Sequence, residues 1–90
     1  MKSDDFAAML AEEGFPAGVL VEREPNAKMD EHSHPFEAKA LVIDGEVRLL
    51  TADGERVYHA GQIFHLRANE RHAEFYGPRG VKYLVGRKPS

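Results

Sequence analysis

Ninety residues with no cysteine and a formal net charge of −3, from 12 Lys and Arg against 15 Asp and Glu, make one small domain. Disulfides, thiolate metal sites and a cysteine nucleophile are excluded, so the fold must rest on core packing, aided at this size by a bound metal or a partner subunit. Acids and bases intermingle without a basic run, which argues against nucleic acid, and no apolar stretch reaches the roughly 20 residues of a membrane span.

The opening "MKSDDFAAML" carries acids where a secretory leader carries bases, so a cytoplasmic location is the expectation. The first element in chain order is a short helix within residues 1–15. Ser3 suits its N-cap, Asp4 and Asp5 suit the positive end of its dipole, and Gly14 suits its stop. Phe6, Met9, Leu10 and Phe15 form an apolar stripe at helical spacing. From residue 16 to 90 the pattern is that of one β-domain. The runs "GVLVERE", "AKALVID", "EVRLLT", "RVYH", "QIFHL", "HAEFYG" and "VKYLVGR" are separated by Asp44-Gly45, Asp53-Gly54, Ala60-Gly61 and "GPRG". Asp-Gly between alternating runs is a strong hairpin signal, and many short strands at close spacing predict an all-β, small antiparallel barrel.

The stretch "DEHSHPFEAKALVIDG" carries the chemistry. On a strand, His32 and His34 share one face, roughly 6–7 Å apart along the chain. Pro35 favours that extended geometry in the residue before it. Neutral imidazoles are the commonest ligands in metal sites without cysteine. The same alternation turns Ala38, Ala40 and Val42 inward and Lys39, Leu41 and Ile43 outward. Two outward aliphatics side by side predict a cover, either the N-terminal helix or a second subunit packed as a homodimer. If His72 points inward, so do Glu74 and Tyr76; a buried Glu74 then needs a cation, a hydrogen-bond network or water. Tyr76 reads either as a core aromatic or as an acid beside Glu74. His59 and His65 are expected to face solvent.

Two motifs resemble those of the cupins. The first has the form H-x-H, three or four residues, a glutamate, six residues and a glycine; His32, His34 and Gly45 fall in register with it. The second opens on a glycine and places a histidine eleven residues on, past a tight turn; Gly61 and His72 have that separation, with "RAN" at the turn. The resemblance runs from Gly18 to about Arg87 and implies a jelly-roll barrel. It also implies a divalent metal (iron, manganese, nickel or zinc) held by His32, His34 and His72. The motif glutamate is missing, because Ala38 stands in its place. Glu37 is one residue early and becomes a metal ligand only if a bulge re-aims it, while Glu74 is a substitute carboxylate from elsewhere in the chain. Asn69 replaces the turn glycine and tolerates a left-handed backbone. In this family, three-histidine sites without the glutamate occur in thiol dioxygenases. The resemblance therefore implies an oxygenase or isomerase acting on a small molecule, with Glu74 and Tyr76 as catalytic candidates. Its alternative is a barrel that binds a metal or senses a ligand without turnover.

Overall fold

Two long strands organise the chain. The computed structural model describes residues 1–89; Ser90, the last residue of the 16–90 segment, lies outside them. The elements are α1 (Ser3–Glu12), β1 (Val19–Arg23), β2 (Lys28–His32), β3 (Phe36–Thr51), β4 (Gly54–His59), β5 (Ile63–Leu66) and β6 (His72–Pro89). All pairing is antiparallel, with β3 against β6 at the centre. The first half of β3 also pairs with β5 and the last half of β6 with β1, which builds one layer. The second half of β3 pairs with β4 and the first half of β6 with β2, which builds the other. Because β3 and β6 run through both layers, the two close around a shared interior. Among the described residues, no helix is long and apolar enough to cross a membrane.

The bend between layers corrects one sequence expectation. Asp44-Gly45 and "GPRG" do not separate strands; both lie inside β3 and β6. The register slips between Val42 and Asp44 and again between Gly45 and Val47. Such bulges turn a strand through a corner without ending it. Gly45 and Gly80 both have positive φ, 76° and 73°, and a Cβ on Gly45 would fall 2.1 Å from the Gly80 carbonyl oxygen. The dipeptide looks like a hairpin because a corner and a hairpin need the same left-handed backbone. Asp53-Gly54 does form the expected hairpin, with Thr51 paired to Gly54.

The interior holds Ala38, Ala40, Val42, Val47, Leu49, Phe64, Leu66, Tyr76, Val81, Tyr83 and Val85. Alternation along β3 and β6 places them there, and the inward direction expected of Ala38, Ala40 and Val42 is the one observed. On the outside of the first layer, α1 lays Phe6 and Leu10 over Leu41, with Phe15 beside them. Leu41 is thereby covered within the chain, while Ile43 stays 39% exposed. Gly86 and Gly18 allow this close approach, since a Cβ at either would press on Leu10 or Leu84 at about 3 Å. Ser3 is the first helical residue and not the cap: the N-cap position falls to Lys2, and no side chain closes it.

Candidate metal centre

Three histidines converge at the mouth of the interior, and each arrives by a different local device. His32 ends β2 directly opposite His72 on β6. Between Met29 and His32 the β2–β6 register slips, so a bulge in β2 sets the His32 position. His34 lies just past the end of β2, in the connection to β3, and its ring stacks on Phe36 with centroids 4.0 Å apart. The β5–β6 turn ties down its backbone: Asn69, at φ 63°, donates its N–H to the His34 carbonyl at 2.7 Å. His72 starts β6, is only 1% exposed, and has its ring centroid 4.2 Å from that of His32 and 5.1 Å from that of His34.

The tautomers follow from hydrogen bonding. Nδ1 of His32 faces the Asp30 carbonyl at 2.7 Å, Nδ1 of His34 the Phe36 carbonyl at 3.1 Å, and Nδ1 of His72 the Glu70 carbonyl at 3.0 Å. A carbonyl only accepts, so in each ring Nδ1 carries a proton, and the neutral form of each imidazole presents its lone pair at Nε2. One ligand atom from each histidine lies within 4.8 Å of those of the other two. Nε2 of His72 is buried and makes no hydrogen bond. A buried acceptor without a donor is unfavourable unless a cation faces it. Backbone carbonyls that orient the far side of each imidazole are what metal-binding histidines commonly require.

Glu74 completes the group. It is 6% exposed, with Oε2 at 3.4 Å from His72 Nε2 and 3.7 Å from His32 Nε2. The Tyr76 hydroxyl donates to Oε1 at 3.1 Å. Burial pushes the Glu74 carboxyl up, but His72, the Tyr76 hydroxyl and the charge of His32 outweigh it and hold the group below its ordinary range. The carboxylate is therefore ionised. Burial lowers the pKa of His34, and the neighbouring His72 and His32 lower it further, which favours the neutral, ligating form. Burial pushes the Tyr76 phenol up, and the Glu74 charge adds to it, so the hydroxyl keeps its proton and remains a donor.

The other sequence candidates lie elsewhere. Glu37 does not join the histidines: it pairs with Lys88 across the sheet and hydrogen-bonds His65 at 2.5 Å on the outer surface. The bulge that could have re-aimed it falls in β2, so Phe36 and Ala38 keep the inward positions and Glu37 the outward one. His65 holds the Glu37 carboxyl below its usual range. His59 is exposed. Ala38 lines the histidine cavity and places no carboxylate there.

That cavity is about 100 Å³ and is lined by His32, His34 and Glu74 with Met29, Phe64 and Val85 among its apolar walls. Arg23, Tyr83 and Arg87 also face it. Sequence reasoning missed both arginines. The alternation Val19, Val21, Arg23 would have pointed Arg23 inward, but "VEREPN" reads as a polar strand end. A larger depression of about 580 Å³ lies beside the β3–β4 hairpin. It shares Leu66 with the cavity and contains none of the three clustered histidines. The grouping of ligand atoms, and not volume, identifies the site.

Comparison with known proteins agrees with the fold. No curated protein matches the sequence. Among solved structures, an RmlC-like cupin from Shewanella frigidimarina is similar at TM-score 0.71 and 20% identity, over 82% of this chain and 66% of that one. The DMSP lyase DddQ from Ruegeria pomeroyi is similar at TM-score 0.73 and 21% identity, over 82% and 38%. Lactobacillus farciminis oxalate decarboxylase, in a formate complex, gives 0.70 and 26%, over 81% and 23%. The chain spans 66% or less of the length of each of these three structures. The family model for the cupin domain matches residues 19–77, from the start of β1 to the corner of β6 and across all three histidines, and the chain belongs to the cupin family.

Proposed function

We propose that this cupin holds one divalent metal ion through Nε2 of His32, His34 and His72, with Glu74 as the carboxylate, and binds a small molecule beside it. The observation that carries this reading is the set of three imidazoles, each fixed by a backbone carbonyl at Nδ1, around a buried Nε2 that has no donor. Once bound, such an ion supplies a Lewis acid that polarises a coordinated small molecule. The side chains do the rest. Tyr76 pins Oε1 of Glu74 and leaves Oε2 turned toward the histidines. Met29, Phe64 and Val85 give the ligand apolar contact.

A carboxylate at Glu74 supplies the charge that Ala38 omits and gives a proposed set of three histidines and one carboxylate. Binding of a metal and a ligand is therefore the function proposed, and turnover is a separate question for the metal-loaded protein. Elemental analysis of untagged protein is expected to give one equivalent of a divalent metal per chain; protein that takes up none from excess manganese, iron, nickel or zinc would sink the reading. Ala38→Glu separates the carboxylate assignments. With Glu74 already beside the histidines, a second carboxylate in so small a cavity meets repulsion, so metal affinity should stay the same or fall by about tenfold. Tighter binding in Ala38→Glu would show that Glu74 does not serve the ion.

A further inference from the structure

Neither the fold nor the metal centre accounts for Arg23. It ends β1 opposite Val81, on the same strand face as Val21, which pairs with Tyr83. Its side chain is half-buried and lines the cavity beside His32 and His34. Its Nε is buried and has no hydrogen-bond partner among the described residues. Tyr83 lies against the guanidinium, and Glu74 reaches it only as a more distant charge. A second guanidinium stands at the entrance: Arg87 on β6 pairs with Ala38, is exposed, and sits 5.8 Å from the Phe36 ring centroid. Phe36 in turn stacks on His34. Two arginines, His32, His34 and Glu74 thus share one cavity of about 100 Å³.

From this arrangement we infer that the small molecule is a carboxylate of a few carbons, its charge taken by Arg23 and the metal centre and its approach guided by Arg87. The inference rests on the metal reading above. Charge complementarity favours it, because a divalent ion and Arg23 together outweigh the single negative charge of Glu74. A guanidinium fork matches a carboxylate better than any other common small group of that size except phosphate. The volume is well under the roughly 300–1,000 Å³ of drug-sized sites, which limits the ligand to a few heavy atoms beyond the carboxylate. The remaining walls, Met29, Phe64 and Val85, suit a short hydrocarbon.

The test uses the cobalt(II)-loaded 90-residue chain, with the visible absorption of the ion reporting ligand binding. Propionate is expected to bind at least about tenfold more tightly than the neutral isostere propionamide. Arg23→Gln should weaken propionate by about tenfold while leaving cobalt and propionamide binding within about twofold. Arg79→Gln, whose guanidinium pairs with Asp44 on the surface, should change nothing. Inorganic phosphate, titrated in parallel, should bind more weakly than propionate. No preference for propionate over propionamide or phosphate, or an equal loss in Arg79→Gln, overturns the inference and leaves the metal centre standing. If Arg23→Gln does not fold, the exposed Arg87→Gln carries the comparison, with about threefold weakening expected and none overturning it. If the wild type takes up no cobalt, the metal reading falls. Propionate titrated into the metal-free protein must then still depend on Arg23, or this inference falls as well.

Discussion

Replacing His72 with alanine is expected to weaken divalent-metal binding by roughly 100-fold or more, enough to lose stoichiometric metal on purification. His72 is the hub of the cluster. Its ring lies 4.2 Å from His32 and 5.1 Å from His34, whereas those two are 6.0 Å apart. It is also the only one of the three that is buried. Removing it would delete one proposed ligand and release Glu74 from its nearest imidazole. His72→Gln keeps most of the volume and guards against a merely misfolded variant. His59→Ala and His65→Ala should retain full metal content, because neither belongs to the cluster. Equal metal in wild type and in a folded His72 variant would refute the assignment.

Gly45→Ala should destabilise the fold by more than about 3 kcal/mol, a large share of the roughly 5–15 kcal/mol that holds a small domain together. Two penalties coincide there. A left-handed backbone at φ 76° disfavours any side chain, and the new Cβ would meet the Gly80 carbonyl oxygen at 2.1 Å, a backbone atom that cannot swing aside. The corner that turns β3 from one layer into the other must then open, and His72 and Glu74 are carried by the strand on the far side of it. Gly54→Ala is the control. Its φ is 117°, but nothing lies within 4 Å of the added Cβ, so backbone strain alone, about 1–3 kcal/mol, is expected. Thermal or urea unfolding of both variants reads the difference. A Gly45→Ala loss no larger than that of Gly54→Ala would mean that the two strands do not touch as tightly as described.

Local pattern alone determined much of this protein. The apolar stripe Phe6, Met9, Leu10 fixes a helix, strand alternation sends Ala38, Ala40 and Val42 inward, and the outward directions of His59 and His65 follow from neighbours within a few residues. Those readings rest on periodicities that a few residues suffice to express. The family resemblance was also legible, since it lies in the order and spacing of His32, His34, Gly45, Gly61 and His72. Tertiary structure decided the rest. Whether Asp44-Gly45 ends a strand or bends one depends on the approach of Gly80, thirty-five residues away along the chain. Leu41 needed a cover, and only packing shows that α1 supplies it. Which of Glu37 and Glu74 lies beside the histidines turned on where a single bulge falls, because one residue of slip reverses every side chain beyond it. Arg23 joined the site only when β1 was laid beside β6, for a charged residue at a strand end carries no mark in the sequence of the cavity it will face.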